Sequence, residues 1–135
     1  MNSIIQNESF KLDHSFLLNK TILLAEDDEV SQQQLQIVFG RLGASVELAE
    51  NGVEVLHKMM TLSPALLVLD LHLHPFNSIE LVKSLRIEHK ISAPVLGLSA
   101  ANMSGRAVAA GVNAVVRKPI EMSELHSRVY GLFAG

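Results

Sequence analysis

Four apolar runs of this chain each end on a side chain that can do chemistry. Ile22–Ala25 runs into Glu26, Asp27 and Asp28. Ala65–Leu69 runs into Asp70, Pro94–Leu98 into Ser99, and Ala114–Val116 is followed after Arg117 by Lys118, which precedes Pro119. Several carboxylates facing one crevice repel one another and stay ionised at neutral pH only with a cation between them. A ligand set of oxygens alone favours a hard divalent ion such as Mg²⁺, which keeps waters and accepts a phosphate. A carboxylate oriented by such an ion can attack phosphorus. A hydroxyl such as Ser99 can donate to a phosphoryl oxygen, and the compact ammonium of Lys118 suits a phosphoryl anion as a point charge. Each residue alone also has a plain structural reading: solvated loop acids, a helix cap at Asp28 or Ser99, a surface lysine. The Lys118–Pro119 peptide is a candidate for the cis isomer, which costs little before proline.

The elements that must position these groups follow from hydrophobic period. Short apolar runs at 21–25, 45–49, 65–69, 94–98 and 114–116 alternate with stretches of helical spacing. Asp28 predicts the cap of a first helix carrying Leu35, Val38 and Leu42, with Gly43 as its stop, and Asn51 the cap of a second. The run at 65–69 is apolar on both sides, as a central strand is, whereas 45–49 alternates like an edge. Strands alternating with helices predict an α/β, doubly wound, five-stranded parallel sheet with helices on both faces, and ligands then collect beyond the carboxyl ends of the strands. Residues 1–20 show no sustained period and are expected to be a leader or linker, although Phe16, Leu17 and Leu18 could dock on the body. The single domain is expected over 21–134, with no output domain after the fifth helix.

Composition narrows the function classes. Apolar residues make up 48% of the 135, charged residues 19%, and the formal net charge is −3, which argues against nucleic acid as a main ligand. The absence of Cys excludes disulfides, thiolate zinc sites and cysteine nucleophiles. No apolar run approaches the roughly 20 residues of a membrane helix. The start lacks a basic segment followed by an apolar stretch, so no secretory signal and no membrane contact are expected, and the location is expected to be cytoplasmic.

From Thr21 to about Phe133 the chain resembles the receiver domain of two-component response regulators and hybrid histidine kinases. The matching segments are Ile-Leu-Leu-Ala-Glu-Asp-Asp-Glu-Val, Leu-Val-Leu-Asp-Leu, Leu-Gly-Leu-Ser-Ala and Val-Val-Arg-Lys-Pro-Ile, with Ala-Glu-Asn-Gly and Ala-Ala-Gly between them. Their order and spacing together are specific; each fragment alone is not. The resemblance implies a flavodoxin-like sheet in the order 2-1-3-4-5. It implies that Asp70 accepts a phosphoryl group from a phosphohistidine on a histidine kinase or histidine phosphotransfer domain. Asp27 would bind Mg²⁺ directly and Glu26 through water, Asp70 and the backbone carbonyl of His72 completing the protein ligands. Ser99 and Lys118 would meet the phosphoryl group. The first helix, with Ser31, Gln34, Leu35 and Val38, would be the docking surface for the partner. Glu-Val-Ser-Gln-Gln and Ala-Glu-Asn-Gly favour a receiver of hybrid-kinase or stand-alone relay type.

Four positions depart from the family pattern. His74 and Ser78 stand where Pro and Gly are usual, with Pro75 displaced by one, so a shifted loop after Asp70 is expected, because Ser resists backbone geometries open to Gly. The stretch between Ser99 and Lys118 is about one helical turn short, which predicts a shortened fourth helix. Val115 replaces the usual aromatic of the switch position, so no aromatic rotamer can operate there, and Ala25 replaces a bulkier aliphatic. An alternative is a degenerate receiver acting as a phosphorylation-independent binding module. A dehalogenase-like phosphatase needs a second Asp where this chain has His72, and a dinucleotide fold needs a Gly-rich loop after the first strand, which is missing. His72 and His74 alone do not make a transition-metal site.

Overall fold

The computed structural model describes residues 16–73 and 77–134. Its elements alternate throughout: β1 (Thr21–Ala25), α1 (Glu29–Arg41), β2 (Ser45–Ala49), α2 (Gly52–Leu62), β3 (Leu66–Asp70), α3 (Ser78–Ile87), β4 (Val95–Ser99), α4 (Ser104–Ala110), β5 (Ala114–Arg117) and α5 (Met122–Ala134). The strands are parallel and lie in the order β2-β1-β3-β4-β5. Successive strand residues point to opposite faces, and two apolar layers result. Leu23, Ala25, Leu67 and Leu69 pack with α2, α3 and α4, while Ile22, Leu24, Leu66 and Val68 pack with α1 and α5. Every residue of β3 and β4 is buried, whereas the edge strand β2 alternates between exposed and half-buried positions up to the buried Ala49.

The helix starts follow from side-chain caps. Asp28 accepts the Ser31 N–H at 2.9 Å, Asn51 the Glu54 N–H at 3.0 Å, and Asn77 the Ile79 N–H at 3.0 Å. Such caps satisfy backbone donors that a first turn otherwise leaves without partners. After α1 the chain turns at Gly43, whose φ of +97° is the left-handed region that glycine enters freely. The fourth helix is short, as the residue count predicts, with 7 residues and no side-chain cap at Met103. Its far end is held firmly. Arg86 donates all five of its N–H groups, to the carbonyls of Gly111, Ile91 and Ala93 and to Asn113 Oδ1, at 2.7–3.1 Å. Gly111 has φ +115°, and a Cβ there would lie 2.7 Å from Arg86 Cγ, so both its backbone and its neighbour demand glycine.

Of the expected leader, residues 1–15 lie outside the described residues, and the packed body reaches back to Phe16. Leu17 is fully buried among Ile22, Leu35 and Phe39, and its N–H donates to the Leu42 carbonyl at 3.2 Å. Phe16 sets its ring edge-on to His126 and Tyr130 of α5, at centroid distances of 5.7 and 5.2 Å. Of the three apolar residues that could dock, Phe16 and Leu17 do, whereas Leu18 is 59% exposed. Among the described residues no helix is long and apolar enough to cross a membrane.

Candidate functional site

The parallel register brings the chemistry-bearing residues to one rim. Ala25 pairs with Leu69, Asp70 with Leu98, and Ser99 with Arg117. The residue one step beyond β1 therefore flanks the end of β3, and Lys118, one step beyond β5, reaches it across the end of β4. Glu26, Asp27 and Asp70 each offer a carboxylate oxygen within 4.8 Å of the others. Glu26 and Asp70 are buried while Asp27 is exposed, so the cluster opens to solvent on one side. Lys118 closes it: its Nζ lies 2.8 and 3.1 Å from the two Glu26 oxygens and 3.4 Å from Asp70 Oδ2. The Lys118–Pro119 peptide is cis.

The remaining polar contacts fix the acids in place. Glu26 Oε1 accepts the Asp28 N–H at 3.1 Å, and its backbone carbonyl accepts the side-chain amide of Gln32. Burial pushes the Glu26 carboxyl above its ordinary value; the Lys118 hydrogen bond pulls against this and the Asp70 charge adds to it. Burial alone would lower the Lys118 ammonium, but the hydrogen bond to Glu26 and the charge of Asp70 outweigh it and hold the group above its ordinary value. A protonated lysine between two carboxylates is the result. Three carboxylates against one ammonium leave the rim with excess negative charge, and an all-oxygen donor set of this kind fits a hard divalent cation rather than a soft metal.

Asp70 is held from its own loop. The His72 N–H donates to Asp70 Oδ1 at 2.9 Å, and the Ser78 hydroxyl donates to the Asp70 carbonyl at 2.8 Å. Ser78 stands where Gly is usual in the family pattern, and the course of the loop before it lies outside the described residues. Ser78 is the buried first residue of α3, with no positive φ, so Ser is accommodated without the backbone geometry that would call for Gly. Its hydroxyl adds a tie between the helix and the phosphoacceptor candidate that glycine would lack. His74 and Pro75, the other departures in this loop, lie outside the described residues. Ser99 ends β4 fully buried, 3.2 Å from the His72 ring Nε2. That side-chain contact is not legible from sequence, where His72 carries only a backbone role.

Val115 lies on β5, half-buried against the layer under α2, α3 and α4. Ala25 is fully buried in the same layer. Of the four α1 residues expected to dock a partner, Ser31 is half-buried at the first turn and Gln34 is exposed. Leu35 is a correction: it is 0% exposed, because it lies one turn from Phe39 and both face the sheet. Val38 is half-buried against the same layer. The outer face of α1 instead carries Val30 and Ile37, 62% and 55% exposed, on the face of Gln34 by helical spacing.

The family model of the response regulator receiver domain matches residues 22–130. The Regulator of RpoS of Escherichia coli (strain K12) is 32% identical over 118 residues, which take in 84% of this chain but only 35% of that protein. The receiver domain of the Francisella response regulator 1452 superposes with a TM-score of 0.79 at 28% identity, covering 86% of this chain and 98% of that one. The receiver domain of sensor histidine kinase PA1611 from Pseudomonas aeruginosa, described with a magnesium ion coordinated in its active-site cleft, superposes with a TM-score of 0.77 at 21% identity. It covers 87% of this chain and 99% of that one.

Proposed function

The chain belongs to the response regulator receiver domain family, and from that premise we propose that Asp70 accepts a phosphoryl group from a phosphohistidine of a histidine kinase or a histidine phosphotransfer domain. The observation that carries this reading is the rim itself. A buried carboxylate ends the central strand, two further carboxylates stand within 4.8 Å of it, and one ammonium lies 3.4 Å from its Oδ2. Phosphoryl transfer needs little beyond in-line positioning and charge neutralisation, and these residues supply the positioning and a donor set for a cation that would neutralise charge.

In the proposed step an Asp70 oxygen forms a bond to phosphorus as the bond from phosphorus to the donor imidazole breaks. The bonding pair leaves with the imidazole nitrogen. The His72 N–H, 2.9 Å from Oδ1, and Lys118 Nζ, 3.4 Å from Oδ2, fix the carboxylate plane. Lys118 keeps its proton, paired with Glu26, and offers its charge to the phosphoryl oxygens. Glu26, Asp27, Asp70 and the His72 carbonyl would hold Mg²⁺, which supplies the charge neutralisation that lets an anionic donor approach an acidic rim. Ser99 is the hydroxyl proposed to reach a phosphoryl oxygen once it is in place. The partner is proposed to dock on the outer face of α1, through Val30, Gln34 and Ile37, beside Ser31.

Incubation with acetyl phosphate and magnesium chloride, followed by intact mass, tests the assignment. The wild-type chain should gain one phosphoryl group and Asp70→Asn none. A wild-type chain that stays unmodified, or an Asp70→Asn chain modified equally, overturns it.

A further inference from the structure

The Ser99 hydroxyl is fully engaged. Its single proton goes to the Ala101 carbonyl at 2.7 Å, and its oxygen accepts the Ala101 N–H at 3.1 Å. The His72 ring approaches the same oxygen, Nε2 lying 3.2 Å from Oγ. A hydroxyl has one proton to give and two lone pairs to offer. With the proton committed to Ala101, Nε2 of His72 must be the protonated ring nitrogen, and it donates to Ser99. His72 therefore touches both partners of the reaction site at once, Asp70 through its backbone N–H and Ser99 through its ring.

From this juxtaposition we propose that His72 is a positioning residue whose side chain latches Ser99 in its waiting arrangement. The inference rests on the phosphoacceptor reading of Asp70. In the latched state Ser99 has no proton left for an oxygen attached to Asp70. To donate there, the hydroxyl must leave the Ala101 carbonyl, and turning it away withdraws the lone pair that His72 holds. The latch thus favours the unphosphorylated arrangement, and its loss favours the phosphorylated one. His72 itself is exposed, so its contact is worth the lower part of the range for a hydrogen bond, roughly two- to fivefold in a rate.

The test is the rate of phosphorylation by acetyl phosphate with magnesium at fixed pH, in His72→Ala, His72→Gln, Ser99→Ala and the double variant His72→Ala/Ser99→Ala. Removing the ring should speed phosphorylation by roughly two- to fivefold. His72→Gln, which restores an N–H near the Nε2 position, should return to the wild-type rate. In the Ser99→Ala background the His72→Ala acceleration should vanish, because the latch has nothing left to hold. An unchanged rate in His72→Ala overturns the proposal. An acceleration that persists without Ser99 also overturns it, since the ring would then act by crowding the mouth of the site. Ring ¹⁵N shifts of the unmodified protein separate this from the parent reading. His72 should show Nε2 protonated, and Ser99→Ala should shift its tautomer balance. If wild type takes no phosphoryl group, the parent reading fails while the shifts still decide the contact, and an Nε2 insensitive to Ser99→Ala refutes the latch.

Discussion

Lys118→Met isolates what the ammonium does, because the apolar stem remains while the charge goes. In the folded chain the Glu26 side chain is 0% exposed and pairs with Lys118 at 2.8 Å, while the lysine side chain is 23% exposed. Removing one partner of a buried pair costs roughly 3–5 kcal/mol, because the other charge is left without compensation. The lysine keeps some contact with water, which discounts its side of the pair, so the expected loss is about 2 kcal/mol. Urea denaturation at neutral pH without divalent cations measures it as a lower midpoint at unchanged slope. Magnesium then gives a second reading. The variant presents three carboxylates and no ammonium, so added magnesium chloride should raise its midpoint more than that of wild type. A variant as stable as wild type without metal, or equal gains from magnesium in both, would refute this account of the rim.

Two further predictions concern the helices. Asp28 is held below its ordinary value of 3.8 by the Ser31 backbone N–H, and Glu121 below 4.5 by hydrogen bonds from Ser123. A depressed carboxylate stabilises the fold fully above its ordinary value, and that contribution disappears as pH falls through the lower folded value. Thermal melts from neutrality down to about pH 3 should therefore lose less stability in Glu121→Gln than in wild type, and an identical loss would count against the cap. On α1, Ile37→Glu places a charge on the proposed docking face. It should slow phosphotransfer from a phosphorylated histidine phosphotransfer domain by about tenfold while leaving phosphorylation by acetyl phosphate intact, and equal effects on both donors would remove α1 from the partner's path.

The rim is legible in the sequence because each relevant strand ends abruptly, an apolar run meeting a carboxylate, hydroxyl or ammonium group, whereas the strand order is implied only by the family resemblance. A doubly wound sheet leaves such residues one place to go. The short α4 is legible for an equally local reason, the count of residues between Ser99 and Lys118. The inward stripe of α1, Leu35, Val38 and Leu42, is legible too, and only the docking role implied by the resemblance sets Leu35 on the outside. Val30 and Ile37 add apolar side chains beyond that stripe, so spacing alone does not say that both face water. Ser78 and His72 escape for another reason: the hydroxyl that reaches the Asp70 carbonyl and the ring that reaches Ser99 meet their partners across the fold. Leu17 is visible only as an apolar residue that could dock, because its partners lie across the fold and its stretch has no period.

The guanidinium of Arg86 joins the loop before β4 to the turn that closes α4, and no N–H of that group is spare. One end of α4 is thereby anchored on five donors while the other, at Met103, begins without a side-chain cap. Any swing of this helix in response to events at Ser99 would be that of a door on its hinge post, with Gly111 as the fixed edge and residues 100–104 as the edge that travels. A signal passed through this face would register as a tilt rather than a slide.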